Sequence, residues 1–439
     1  MSGPSDAEPL GRHDDTIKKV AYLYAKGEPQ KRIAGLLSLS PSMVSRLVDQ
    51  ARNVGLVRET IECQLTEPEQ QRLHDEVYRG KDLLTKLKDV AYDSGVGSLT
   101  QLQIVPTGLE IKNDASWDQA VAVFGHKAAS YCLTLLRGCE ACKILGVTYG
   151  RTLAALASGL EEVTATQGRP KTPITCVPLW GEPLSPWEEP RSQVFRDPAK
   201  LSSSGLAADM HRILNGWGSH THQPPGRTTK SLPRPLHLSF IPAFRPEPER
   251  FSEAECSAML KFACSVSSYA EIFPVPEDWL AFAPARQSRS KPDRRSEPTG
   301  ADVKLPLVEH LDAILTSVGS KDQPGRFWSG EFFRQGDIDL PKLRRGAFGD
   351  LGGAFIINPA ANKADREYVE AVNKRWTGIK EPHFRRCALR ARENNLPGVT
   401  VLAVGAVRAE IVLQCLKLGL INHLILDTDC ADELHKLAG

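Results

Sequence analysis

The run Ile144-Leu145-Gly146-Val147-Thr148-Tyr149-Gly150-Arg151-Thr152-Leu153 sets a small-residue turn between an apolar strand pattern and the opening of a helix. The chemistry on offer there is anion binding. Backbone N–H groups at a helix N-terminus, the Thr152 hydroxyl and the Arg151 guanidinium can converge on one oxyanion. The spacing is not GxGxxG, and no Gly-Lys-Ser/Thr follows to make a Walker loop, so an ordinary tight turn explains the same residues as well.

A second chemical set lies near the N-terminus, where Pro29 to Gly55 read as two short helices. The first turns Ile33, Ala34 and Leu37 onto one face, and the connection Leu37-Ser38-Leu39-Ser40 is short. Ser40 offers an N-cap oxygen and Pro41 the first helical position, and Gly55 closes the second helix. Its apolar stripe, Val44, Leu47, Val48 and Ala51, leaves Ser42, Met43, Ser45, Arg46, Asp49 and Gln50 facing outward. Hydroxyls, amides and a guanidinium so arranged reach base edges and phosphates in a DNA major groove. Gln30, Lys31, Ser40, Ser42, Ser45, Arg46 and Gln50 are therefore the candidate DNA contacts, and double-stranded DNA the expected partner. The alternative is a plain α-helical module, against which stands the scarcity of Glu and Lys on the outward face. A helix from Asp15 to Lys26 supplies Ile17, Val20, Leu23 and Tyr24 as a lid. The alternation of Leu56–Leu65 suits the wing of a winged helix-turn-helix.

Other reactive residues give weaker signals. Cys139-Glu140-Ala141-Cys142 is a lone CxxC without a second pair or a His-x₃-His, which favours simple packing over a metal. Ten cysteines in 439 residues, mostly in apolar surroundings, read as reduced core residues. His211, His220 and His222 flank a Pro/Gly-rich loop and are expected at the surface. No metal and no cofactor are expected.

These residues need elements to hold them. A chain of 439 residues exceeds one ordinary core, so two domains with linkers are expected. The net charge of +2 hides an asymmetry, since Gly11 to Cys63 carries nine Lys/Arg against six Asp/Glu. So small an excess asks for more than one copy of the DNA module, hence a homodimer or homotetramer. No apolar run approaches the ~20 residues of a membrane span, and Met1-Ser2-Gly3-Pro4-Ser5-Asp6 is no signal peptide, so a cytoplasmic protein is expected. From Glu67 to about Tyr92, Leu73, Val77, Leu84, Leu87 and Ala91 follow a near-heptad spacing. This helix either dimerises or packs on its own chain.

From Leu102 the pattern alternates. Strands are predicted at 102–105, 144–147, 174–179, 236–241, 313–318, 354–357, 399–404 and 423–426. Helices are predicted at 117–137, 152–162, 205–214, 253–267, 363–375, 384–394, 407–418 and 430–437. Such alternation predicts a mostly parallel sheet wrapped by helices, with ligands at the carboxyl ends of the strands.

On these residues the chain resembles the SorC family of sugar-responsive transcriptional regulators, close to the DeoR repressors. Ile33-Ala34, Val44-Ser45-Arg46-Leu47, Ala51-Arg52 and Gly55-Leu56-Val57 resemble its reader, and Gly146 to Thr152 its phosphate loop. Val177-Pro178-Leu179-Trp180-Gly181 resembles its next strand end, Asp312 with Ser317-Val318-Gly319-Ser320 a later one, Gly346-Ala347-Phe348-Gly349-Asp350 its Gly-Ala-x-Gly-Asp, and Gly419 to Ala431 its closing strand and helix, all in the same order.

The resemblance implies a winged helix-turn-helix at 11–65, a linker or oligomerisation helix at 66–95, and an effector domain at 96–439. That domain would be a Rossmann-like sheet of the sugar-phosphate isomerase/deaminase type, used to sense a phosphorylated sugar. Gly150, Arg151 and Thr152 would hold the phosphate, Gly181 would line the pocket, and Asp350 would accept from sugar hydroxyls. Ala403-Val404-Gly405-Ala406-Val407-Arg408 departs from the family, which has a second Gly and then a phosphate-binding Lys. Here Gly405 and Arg408 are the candidates, and Arg is not a like-for-like exchange for Lys. The chain is also longer than the family pattern, and its excess at 217–235 and 283–303 reads as mobile insertions. The expected function is a DNA-binding regulator controlled by a phosphorylated sugar, not an enzyme. The rival readings are a sugar-phosphate isomerase or deaminase, and a DNA-binding protein with a vestigial pocket.

Overall fold

In a computed structural model of the chain, the described residues are 15–57, 65–93, 98–181, 202–216, 235–238, 241–245, 252–274, 306–322 and 338–439. They form two compact units, one up to Thr85 and one from Lys86. Residues 58–64 of the expected wing lie outside the described set, as do 217–234, 283–303, His220 and His222.

The first unit is helical. Helices α1 (Asp15–Ala25), α2 (Gln30–Leu37) and α3 (Pro41–Asn53) bury Ile17, Val20, Leu23, Ile33, Ala34, Val44, Val48 and Ala51 in one core. Ser38, with φ 54°, ends α2 in the left-handed region, and Ser40 caps α3 by accepting the Met43 N–H at 3.1 Å. Leu47 is only half-buried, so the apolar stripe of α3 is narrower than its sequence suggests.

The long helix α4 (Glu67–Asp93) crosses from one unit into the next. Its buried face runs through Leu73, Leu83, Leu87 and Ala91. The expected Leu84 is only half-buried, because four-residue steps back from Ala91 and Leu87 lead to Leu83.

In the second unit six parallel strands lie side by side in the order β1-β8-β7-β4-β2-β3. They are β1 (Gln101–Ile104), β2 (Ile144–Val147), β3 (Thr175–Pro178), β4 (Ala313–Ser320), β7 (Gly398–Ala403) and β8 (His423–Leu426). An antiparallel pair, β5 (Ala347–Leu351) and β6 (Ala354–Ile357), extends from the far end of β4, where Gly319 faces Asp350. On one face the side chains of Leu145, Val147, Ala313, Leu315, Leu402 and Ile425 share a core with α5 (Asp114–Arg137), α6 (Arg151–Gln167) and α7 (Ser203–Asn215). Ile314, Val401 and Leu424 point the other way by strand alternation and are equally buried, so both faces are covered.

The remaining helices are α8 (Glu253–Val266), α9 (Tyr269–Ile272), α10 (Leu340–Gly346), α11 (Lys363–Arg375), α12 (Glu381–Asn394), α13 (Ala409–Lys417) and α14 (Thr428–Leu437). Of these, α12 packs against β4 and β7.

Two expectations are corrected. Residues 236–238 and 241 are not a strand: the His237 and Leu238 N–H groups donate to the Ser268 and Ser204 hydroxyls, and the Ile241 N–H donates to the Leu238 carbonyl. A buried apolar run satisfied by side chains and a turn needs no ladder. His211 is not at the surface. It sits on the inner face of α7 with Ala207, Met210 and Leu214, with Nδ1 3.2 Å from the Asn215 amide nitrogen.

Candidate functional site

On α3 the apolar residues face the core and the polar ones face solvent. Gln30, Lys31, Ser40, Ser42, Arg46 and Gln50 are exposed, and Ser45 is half-buried. The Ser40 hydroxyl lies 3.0 Å from that of Ser42, and Arg46 leans back so that Nη2 lies 3.8 Å from the Met43 sulfur. This leaves a hydroxyl-rich helix N-terminus, favourable to phosphate oxygens, with a guanidinium one turn further along.

The second candidate set gathers at the carboxyl ends of the parallel strands. Gly150 follows β2 and opens α6 at φ 121°, a backbone that an L side chain resists. Thr152 is buried in the first turn of α6. Gly405 follows β7 at φ 91°, and its N–H donates to Asp427 Oδ1 at 2.9 Å. Asp427, just past β8, also caps α14 by accepting the Cys430 N–H at 3.0 Å on the same oxygen. Burial pushes the Asp427 carboxyl up to about 6, partly offset by those two N–H donors.

The two arginines do not project into open space. Arg151 Nη1 donates to Asp118 Oδ1 at 2.6 Å, and its guanidinium lies 4.3 Å from the centroid of the Trp117 ring. The Arg408 guanidinium lies 4.9 Å from the same centroid. It donates from Nε to the Val318 carbonyl at 3.2 Å and from Nη1 to the Val404 carbonyl, thereby joining the ends of β4 and β7. Burial pulls the Arg408 guanidinium down to about 10, and Arg151 acts in the same direction while Cys430, Asp427 and Asp350 oppose it. It stays charged at neutral pH.

Trp117 and Asp118 come from the first turns of α5, whose start Asn113 and Ser116 fix by a reciprocal cap. They meet Arg151 because α5 and α6 cross closely. A Cβ on Gly125 would stand 2.4 Å from the Ala155 Cβ, and one on Gly159 would stand 2.7 Å from the His126 Cα. Sequence reasoning missed Trp117, Asp118 and Asp427. The signal available for the first two was the capping pattern Asn113–Ser116, which sets the helix start and hence which residues occupy its first turns.

Asp350 is buried in β5, and its Oδ2 accepts the Gly353 N–H at 2.9 Å, so this oxygen already holds the β5–β6 turn. Gly181 follows β3 but packs tightly, since a Cβ there would stand 2.4 Å from the Ile241 carbonyl oxygen. Beside it lies an aromatic stack. Tyr149 lies on Trp180 with ring centroids 3.9 Å apart at 8°, and Trp180 meets Trp376 edge-on at 5.0 Å. The structure thus brings Gly150, Arg151, Thr152, Gly405 and Arg408 to one rim of the sheet, and commits Asp350 and Gly181 in part to packing.

The CxxC forms no special centre. Cys142 is buried and burial pushes its thiol up, and Cys139 lies 3.7 Å from the Asn395 carbonyl oxygen. Among the described residues no cluster of His, Cys, Asp and Glu could hold a metal ion, and no helix is long and apolar enough to cross a membrane.

These features define a mixed α/β protein with a mostly parallel sheet and a separate helical unit. No family model and no curated relative matches the sequence. Among solved structures, the chain is similar to the full-length sorbitol operon regulator SorC from Klebsiella pneumoniae, at 16% identity over 96% of this chain and 100% of that one, TM-score 0.47. It is similar to a DeoR family transcriptional regulator from Listeria monocytogenes, at 16% identity over 81% of this chain and 99% of that one, TM-score 0.45. A transcriptional regulator from Streptococcus pneumoniae gives 15% identity over 81% and 98%, TM-score 0.42.

Proposed function

We propose that the chain is a transcriptional regulator that reads DNA with α3 and whose affinity for its operator is set by a phosphorylated sugar. The observation that carries this reading is the partition of α3, with Ser42, Arg46 and Gln50 exposed opposite a core of Val44, Val48 and Ala51. A helix needs no such hydroxyl, guanidinium and amide face for folding, but a major-groove reader does.

In this reading residues 11–65 form the winged reader, 66–95 the linker and oligomerisation helix, and 96–439 an effector domain of the sugar-phosphate isomerase/deaminase type. The sugar phosphate lies at the carboxyl ends of the strands, its anion against Gly150, Arg151, Thr152, Gly405 and Arg408, with Gly181 and Asp350 toward the sugar. A homodimer or homotetramer presents two readers to a roughly palindromic operator. Ligand favours one subunit arrangement and so shifts DNA affinity, with a coupling of roughly 1–3 kcal/mol.

The test is a fluorescence titration of operator DNA at fixed salt, with Arg46→Ala beside wild type, and a thermal shift with a panel of phosphosugars on Thr152→Ala/Arg408→Ala. The reading expects weaker DNA binding with effector affinity intact in the first variant, and loss of the phosphosugar shift in the second. Equal DNA binding by Arg46→Ala removes the reader; an unchanged phosphosugar shift in the double variant removes the pocket.

A further inference from the structure

The N-terminal turns of α5 hold three features that packing leaves unexplained. Trp117 is 6% exposed, yet its Nε1–H has no hydrogen-bond partner among the described residues. Two guanidiniums lie within 5 Å of the centroid of that one indole. The carboxylate that neutralises the nearer one, Asp118, is itself 3% exposed and held at 2.6 Å.

A buried donor without an acceptor loses its hydration for no return, and two like charges sharing one ring repel each other. An oxyanion that accepts from the indole and pairs with the guanidiniums relieves both costs. All of this surrounds the N-terminus of α6, where the Gly150–Thr152 N–H groups already favour negative charge. Asp118 already pairs with the Arg151 guanidinium that such an oxyanion would need.

Resting on the effector reading above, we propose that Trp117 is a ligand-binding residue of this site, donating its indole N–H to an oxygen of a phosphate-like oxyanion held by Arg151 and Arg408. Asp118 is the internal counter-ion that this oxyanion replaces on Arg151. The unliganded site is thus electrostatically closed, and the ligand must outcompete a carboxylate at fixed position. Specificity follows: a compact dianion displaces Asp118, whereas a neutral sugar gains nothing from the exchange. The family resemblance supplies Gly150, Arg151 and Thr152, but not the two α5 residues.

The experiment uses the full chain and inorganic phosphate as probe, with isothermal titration of wild type, Trp117→Phe, Asp118→Asn and Arg151→Ala, each first shown to melt cooperatively. Asp118→Asn keeps an oxygen for Arg151 but removes the competing charge, so phosphate binds roughly tenfold tighter. Trp117→Phe keeps the ring under the guanidiniums but removes the donor, so phosphate binds roughly tenfold weaker. In ¹⁵N-labelled wild type, the indole N–H resonance absent from Trp117→Phe moves on phosphate addition, a response that a packing role would not give. Phosphate binding lost in Arg151→Ala but indifferent to Trp117→Phe and Asp118→Asn, with that resonance unmoved, overturns this proposal and leaves the effector reading standing. No phosphate binding by any of the four chains overturns both.

Discussion

Asp427 offers a sharp test of how the site is held, because its two functions conflict. One oxygen fixes the turn that carries Arg408, by accepting from Gly405, and caps α14, by accepting from Cys430. The same carboxylate is 1% exposed, and burial raises its folded-state value from 3.8 to about 6. A folded value above the unfolded one means that the stability this group contributes is fully present below pH 3.8 and is lost as pH rises through about 6. At about 1.36 kcal/mol per decade of the equilibrium, the cost of ionised Asp427 approaches roughly 3 kcal/mol by pH ~8 and is about half that near pH ~5.

Asp427→Asn keeps an oxygen for both N–H donors and removes the charge. The variant is therefore more stable than wild type above neutrality, by up to ~3 kcal/mol less whatever Arg408 loses with its carboxylate neighbour, and equal to it near pH ~4. For a unit of some 350 residues this is on the order of 4 °C in melting temperature at ~2.1 cal/mol/K per residue. Scanning calorimetry of both proteins between pH 4 and 8 measures it. A stability difference that does not grow with pH, or a less stable variant at pH 8, refutes the assignment of burial as the dominant effect on Asp427.

Three further outcomes follow from named contacts. Ser40→Ala removes the cap on the Met43 N–H and destabilises the helical unit by about 1 kcal/mol, read from its denaturant midpoint; an unchanged midpoint contradicts the cap. Gly125→Ala raises helix propensity by about 1 kcal/mol but puts a Cβ 2.4 Å from that of Ala155 and 2.5 Å from its backbone carbon, so overpacking of ~1–3 kcal/mol should dominate. A melting temperature higher than wild type would show that α5 and α6 separate easily. Arg46→Ala removes one phosphate or base contact, so its DNA affinity falls and, if the contact is to phosphate, the dependence on log salt shallows by about 0.9 per contact; identical curves at two salt concentrations count against an interfacial Arg46.

Much of the architecture was legible because it is local. The division of α3 is a matter of helical period, and β2, β4, β7 and β8 stand out as apolar runs between turns. The strand β5 escaped because its pattern makes sense only in its pairing, where Asp350 faces Gly319 on β4 and Phe355 on β6. The run 236–241 misled for the opposite reason, since Leu236, Leu238 and Ile241 are buried, but the N–H groups of His237 and Leu238 find the hydroxyls of Ser268 and Ser204.

At the site, Gly150, Arg151 and Thr152 form one contiguous turn and could be read directly. Trp117 and Asp118 lie over 30 residues away, and only the close crossing of α5 and α6 brings them to Arg151. No periodicity announces that an arginine has found its counter-ion, nor that Arg408 gives two of its N–H groups to the carbonyls of Val318 and Val404.

The central claim is that one chain reads DNA conditionally, and operator affinity measured with and without ligand tests it most directly. Footprinting first defines the site, and fluorescence anisotropy at fixed salt then gives Kd for wild type across a panel of phosphosugars and their unphosphorylated counterparts. The account predicts that at least one phosphosugar changes Kd by about 5- to 150-fold, that its unphosphorylated counterpart does not, and that Thr152→Ala/Arg408→Ala abolishes the change while still binding DNA. A Kd indifferent to every phosphosugar, or a response that persists in the double variant, contradicts it.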